Sequence, residues 1–363
     1  MKGGVLTTRH KSDGNNTVII NPDFLEGFIK MYVDGQEKTF SSIYDFGDTE
    51  EHEVMLEFGE KQTNLKELFY YCNHLISVDV SNFDTSNVYN MNRMFYKSSL
   101  EDIDLSNLNT SNVTDMGDMF GECTLLKFIN ISNFDTSNVL NMNGMFNNCK
   151  SLQFIDISSF DTSKVTNMGW MFAYCTSLES LDVKDLKTFN VKYMNNMFYD
   201  CRKLAYLDVS GFDTSKVINM NYMFYGLRGL SQLDVSNFIT FNTTSMDRMF
   251  YGCIGLDYID ISNFDTSNVT NMYGMFNRCR SLTSMDLSNF DTSNVINMGS
   301  MFSECDSLVY LKMMGDISKV NNTSSMFFAM ENTVGIFEYN QAYDYSKIIE
   351  RIPALWTIRP ISS

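Results

Sequence analysis

From Leu75 onward, apolar residues return at relative positions 1, 4, 6 and 9: Leu75, Val78, Val80 and Phe83, then Leu100, Ile103, Leu105 and Leu108. The series restarts at Leu126, Leu152, Leu178, Leu204, Leu230, Leu256 and Leu282 and fades after Leu308. A Met-Phe pair marks the period most sharply, running from Met94-Phe95 and Met119-Phe120 to Met301-Phe302 in steps of 26 after a first step of 25. Positions 4 and 6 follow the strand period of two, so both face one way while the residue between them faces out. Further along, Val88, Met91, Met94 and Phe95 fall at separations 0, 3, 6 and 7, which is the spacing of one helical face. The cluster Asp84-Thr85-Ser86 between them fits a helix N-cap, and its Thr recurs in nine units from Thr85 to Thr292. Each unit therefore reads as strand, turn and short helix, and L-x-x-L-x-L-x-x-F is the strand-and-turn spacing of a leucine-rich repeat.

One such unit cannot bury its apolar face alone, so neighbours must stack. The expected fold is α/β: a leucine-rich-repeat solenoid of about ten repeats over residues 62–330, with a parallel sheet on one face and short helices on the other. Terminal caps are expected as well. Residues 1–17 form a polar segment, and residues 18–61 read as a small β unit, with strands at Phe28–Val33, 39–46 and 54–58 and a turn at Asp34-Gly35. Residues 331–363 read as an α/β cap, with a helix over 345–351 and a strand over 356–360.

Composition narrows the function. Of 363 residues, 27 are Lys or Arg and 44 are Asp or Glu, a formal charge of −17 that repels phosphate backbones and anionic lipid heads, so nucleic acid and membrane insertion are not expected. Three prolines and 44% hydrophobic residues fit a packed protein rather than a disordered one. The first residues lack the apolar core of a signal peptide, and no run is long enough to span a bilayer. Either the protein stays inside the cell that makes it, or it reaches the cell surface or a virus particle by a route that needs no such signal.

The run LDVSNFDTSNVTNMxxMFxxCxSL stands almost verbatim at Ile259–Leu282 and in a looser form at Leu207–Leu230. It resembles the BspA-like leucine-rich-repeat surface proteins of bacteria and their associated elements, over about residues 62–330. The resemblance implies a curved solenoid used for adhesion or protein binding at a surface, with a protein or glycan as ligand and no catalytic motif. Members of that family often carry a secretion signal or lipid anchor. The alternative function is a structural part of a phage or virus particle, with the solenoid as spacer or host-binding element and virion components as partners.

Candidate chemistry is sparse. Seven of the eight cysteines lie three residues after a Met-Phe phenylalanine, and Cys72 holds the same register in a leading half repeat. Ser98 and Leu227 interrupt the column, which points to buried free thiols as packing residues; without a C-x-x-C pair, neither zinc nor redox chemistry is expected. Of the 26 methionines, two recur in nearly every unit at helix-core spacing and read as core filler. His10, His52 and His74 share no motif, so no catalytic residue, metal or cofactor is assigned. Between the inward strand residues stand Asp79, Asp104, Asn130, Asp156, Asp182, Asp208, Asp234, Asp260 and Asp286. This column is either a stripe for cations or a basic partner, or a set of carboxylates bonded to nearby turns. Two positions earlier the residues vary, and Phe128, Phe154, Tyr206 and Tyr258 are the candidate contact residues, with cross-strand stacking as the plainer alternative. Trp170, Tyr174, Tyr199, Tyr222, Tyr225, Tyr251 and Tyr273 form a second, outward set on the helix side.

Overall fold

The computed structural model describes residues 3–24 and 27–362, in two compact units, Met1–Asp182 and Val183–Ser363. In the first unit the strands are β1 (Gly4–Lys11), β2 (Asn16–Val18), β3 (Phe28–Val33), β4 (Gln36–Lys38), β5 (Ile43–Asp45), β6 (Glu51–Phe58), β7 (Leu75–Asp79), β8 (Asp102–Asp104) and β9 (Phe128–Asn130). In the second they are β10 (Ser284–Leu287), β11 (Tyr310–Met313), β12 (Ile336–Asn340) and β13 (Thr357–Ile361), with the four-residue α1 (Ser346–Ile349) between the last two. The chain is thus mostly β, and α1 is the only helix among the described residues.

The helices expected from the Val88, Met91, Met94 and Phe95 spacing are absent, and the reason is in the backbone. Met94, Tyr96 and Ser98 donate their N–H to the carbonyls of Met91, Arg93 and Phe95, closing overlapping four-residue turns. Arg93 and Lys97 hold left-handed φ angles of 55° and 60°, as the third residue of a type II turn requires, and such residues end a right-handed helix. The alternate donors point away from their own repeat. Met91, Arg93, Phe95 and Lys97 bond the carbonyls of Asp115, Gly117, Met119 and Gly121 in the next one, and the pattern recurs through both units. Successive turns bury side chains about three residues apart, much as a helix does, which is why the apolar period suggested one. Parallel bridges follow the same face, Asn64–Asn90–Asp115–Asn141–Asn167 in the first unit and Tyr193–Asn219–Ser245–Asn271–Asn297–Asn322 in the second.

The segment expected to form a strand in every repeat does so only at its ends: β8 pairs β9 in parallel, and β10, β11, β12 and β13 form a parallel sheet in that order. In between, the extended segments keep the alternation of buried and exposed residues without regular strand pairing among the described residues. Thr85, read as a helix cap, has another role. Its buried hydroxyl donates to the Asn109 carbonyl and accepts the Asn109 N–H, both at 2.9 Å, which ties one repeat to the next. Thr110 and Thr136 bridge likewise to the carbonyls of Asp135 and Asp161, and in the second unit Thr188, Thr214, Thr240 and Thr266 do so at 2.9–3.0 Å.

The core of each unit is stacked by register. Phe69, Phe95, Phe120, Phe146 and Phe172 stack at 5.4–5.7 Å between centroids in the first, and Phe198, Phe224, Phe250, Phe276, Phe302 and Phe327 at 5.6–6.0 Å in the second. Each ring is worth about 1.5–3 kcal/mol by burial and each stacked pair about 0.5–1.5 kcal/mol more. All eight cysteines are buried, and none forms a disulfide. Their thiols bond backbone carbonyls: Cys123, Cys149 and Cys175 meet those of Phe95, Phe120 and Phe146 at 3.0–3.2 Å, and Cys253, Cys279 and Cys305 those of Phe224, Phe250 and Phe276 at 3.0–3.1 Å. Burial pushes these thiols upward, to about 12 for Cys175 and Cys253.

The ends are capped differently. In the first unit, Gly4–Lys11 is strand β1 rather than a loose polar segment; it lies antiparallel to β6 on one side and to β7, the first repeat strand, on the other. Ile19 and Ile20 are fully buried, and the Asn21 N–H reaches the Leu68 carbonyl of the leading half repeat. In the second unit Trp356 tilts against Phe327 at 6.2 Å and donates to Thr333. The edge strand β13 carries Pro360, whose missing N–H suits an unpaired edge.

Replacing Thr214 by Val should cost about 1–3 kcal/mol, because the N–H and C=O of Ile239 lose one buried partner together. In urea unfolding this should lower the midpoint without changing the slope; an unchanged midpoint would show that the bridge contributes nothing.

Candidate binding faces

Alternation along each extended segment turns one residue to solvent between buried neighbours. In the first unit Phe128 and Phe154 are 55% and 58% exposed, beside the buried Ile129 and Ile155. In the second unit Tyr206 and Tyr258 are 71% and 60% exposed, beside the buried Leu207 and Ile259. The acidic column two residues on has a local bond at most of its positions: Asp156, Asp208, Asp234 and Asp260 each accept the N–H of the serine two residues later at 2.9–3.0 Å, which turns the chain out of its extended segment. Bonds from these serines hold the four carboxyls below their ordinary value. At Asp234 the flanking Asp208 and Asp260 push the other way and are outweighed. Asp182 stands exposed in the same register at the end of the first unit.

One pair of these candidates shares a cavity. Tyr258 and Asp260, with Ser284, Asp286 and Tyr310, line a shallow pocket of about 160 Å³ in the second unit. Tyr310 is fixed by a 2.8 Å bond to Glu338, and burial, with this carboxylate beside it, pushes its hydroxyl up to about 12. Lys312 lies 3.7 Å from Asp286. The other candidates of the second unit, Tyr206, Asp208 and Asp234, lie in earlier repeats and outside this pocket.

A larger cleft, about 730 Å³, is not foreshadowed by the repeat pattern. Lys11 and Asp13 from the end of β1, Glu51 of β6, and His74, Glu101 and Asp102 of the first repeats line it. No spacing in the sequence reveals it, because the antiparallel pairing of β1 with β7 brings residues more than sixty positions apart together. His74 lies 3.7 Å from Asp13 at this cleft. His52 bonds Asp34 and Asp48 at 2.8 Å each. His10 is buried with only its Nε2 partnered, 2.9 Å from the Thr8 hydroxyl; burial first, and His74 second, lower its pKa to about 3. Among the described residues no group of three or more His, Cys, Asp or Glu is placed to hold a metal.

The tyrosines of the turn face are largely paired. Tyr199, Tyr225 and Tyr251 stack at 4.3 and 4.5 Å, and the Arg248 guanidinium lies 5.4 Å from the Tyr222 ring and 4.4 Å from that of Tyr273. They serve repeat stacking first, and their exposed edges second.

These features define a β-rich repeat protein. Its family follows from three overlapping matches, over residues 63–154, 122–238 and 230–338, to the family described as Mycoplasma protein of unknown function, DUF285. The matches span well over half of the chain, which belongs to this family. No curated protein matches it. No helix among the described residues is long and apolar enough to cross a membrane.

His10 predicts an acid-sensitive step. An unfolded histidine takes up a proton near pH 6.5, whereas folded His10 resists until about 3, so the stability it contributes above pH 6.5 is lost as the pH falls between those values. Melting curves at pH 7 and pH 5 should show this drop, and His10→Gln should reduce it; an equal drop in both proteins would rule His10 out as the source.

Proposed function

We propose that this chain is a non-catalytic binding protein of the BspA-like leucine-rich-repeat type, a solenoid that presents the outward side chains of its extended segments to a protein or glycan. The observation that carries this reading is the contrast within a repeat. The framework side chains at the Leu, Val, Met, Phe and Cys positions are almost fully buried, whereas Phe128, Phe154, Tyr206 and Tyr258 are more than half exposed. Large aromatic rings left in water have a hydration cost that a ligand would relieve, and they supply contact area at low entropic cost. The pocket beside Tyr258 and Asp260 adds a polar recess to one of these rings. The acidic column is foremost a turn-forming device in this reading, and its outward charge favours a basic partner over an acidic one.

The test begins with purified chain as bait against host-cell surface extract and virion lysate, read by mass spectrometry. Capture of a surface protein or glycoconjugate, weakened by joint alanine replacement of Phe128, Phe154, Tyr206 and Tyr258 with the melting temperature unchanged, is the expected result. Equal capture by that variant would exclude these residues as the contact surface, and capture of capsid or tail components alone would instead support a structural role in a particle.

A further inference from the structure

On the turn face of the second unit, Tyr225, Gly226, Arg228, Tyr251, Gly252 and Ile254, with Arg278 and Arg280, enclose a cavity of about 210 Å³. In a chain of net charge −17, three arginines line this recess and no carboxylate does, although Glu304 and Asp306 pair with two of them from outside it. At ~30 Å³ per water, the recess has room for about seven waters, enough for a sulfate, phosphate or carboxylate group.

Two substitutions in the repeat create it. The second left-handed position of each repeat carries Tyr71, Lys97, Glu122, Asn148, Tyr174 and Asp200 in earlier repeats and Arg278 and Glu304 in later ones. Gly226 and Gly252 interrupt this column, although the backbone accepts side chains at the same φ elsewhere. A Cβ on Gly252 would meet nothing nearer than 3.7 Å, so packing does not demand glycine there. The absent side chains are what leave the recess open. Asp200 forms a bidentate pair with Arg202, two residues later in its own repeat, at 2.6 and 2.7 Å. One repeat on, Gly226 stands in place of that aspartate, and Arg228 has no ion-pair partner among the described residues.

The other two arginines are held in position. Arg278 donates through Nε to Glu304 Oε1 at 2.9 Å, and Arg280 through Nη2 to Glu304 Oε2 at 2.8 Å. Arg280 also lies 3.7 Å from Asp306, and Arg278 stands 5.8 Å from the Tyr251 ring. One glutamate therefore fixes two guanidiniums, each with further N–H donors on its planar fork.

We infer that this recess is a binding site for a small oxyanion, a sulfate, phosphate or carboxylate group, with Arg228 as the uncompensated charge and Arg278 and Arg280 as preorganised donors. It is separate from the exposed aromatics proposed above and does not depend on them.

The probes are inorganic sulfate, acetate, glucose 6-sulfate and O-phosphoserine, titrated into the full chain by calorimetry at low ionic strength. Sulfate against acetate separates tetrahedral from planar anions, and the two esters separate a sugar from a peptide carrier. Arg228→Ala should raise the dissociation constant roughly ten- to a hundredfold. Gly252→Tyr, which restores the side chain that Tyr174 carries at the matching left-handed position, should fill the recess and abolish binding; its left-handed backbone should lower the melting temperature slightly while the chain stays folded, and Arg228→Ala should leave that temperature unchanged. No saturable uptake of any probe by the unaltered chain, undiminished affinity in Arg228→Ala, or binding retained by folded Gly252→Tyr, would overturn the assignment.

Discussion

The bonds that pass from the turns of one repeat to the carbonyls of the next are the constraint on which the rest depends. A buried turn segment must satisfy every N–H and C=O, and here the donors fall into two sets, with alternate N–H groups closing turns within the repeat and the others reaching across. That division works only if each repeat returns to the same register. Where the chain shortens by one residue, between Ser98 and Leu100 and again between Met313 and Asp316, it does so in a link, and the turn segment itself keeps its spacing. The left-handed residues cost about 1 kcal/mol or more apiece, and the cross-repeat bonds must offset this.

The side-chain columns reinforce the same register from inside. Thr hydroxyls tie adjacent repeats at one corner, Cys thiols meet Phe carbonyls at another, and the Phe rings stack between them. The hydroxyl bonds a backbone carbonyl of the next repeat, and the thiol adds a second donor to a Phe carbonyl that already accepts a turn N–H. This explains why Thr persists at its position while the adjacent serine gives way to Phe189 and Phe241: the first is buried and bonded across repeats, and the second points outward. At Leu227 the thiol is replaced by an apolar filler, so at that site packing alone suffices.

Much of this was legible in the sequence. The period, the buried positions and the packing role of the thiols follow from spacing and composition, because burial depends on which residues recur and hardly on how the backbone connects them. The local conformation was not legible in the same way. Val88, Met91, Met94 and Phe95 have the spacing of a helix, yet overlapping turns with left-handed residues at Arg93 and Lys97 produce the same inward face. A better signal was the frequency of Asn and Gly around the Met-Phe pair, residues that tolerate positive φ and favour turns. Of the candidate residues, Phe128, Phe154, Tyr206 and Tyr258 could be placed on an outward column from alternation alone. The cleft beside His74 and the recess beside Arg228 could not, since each depends on contacts between distant parts of the chain.

The buried thiols have a consequence for where such a protein can work. Seven of the eight have a backbone carbonyl partner in the core, from Cys72 to Cys305, and none of the eight is joined to another. Cohesion in each unit comes from hydrogen bonds, apolar contact and ion pairs between repeats, so it calls for neither an oxidising folding compartment nor an isomerase to sort cross-links. No cross-link has to form for either unit to fold, and burial keeps the thiols protonated and out of reach of dissolved oxidants.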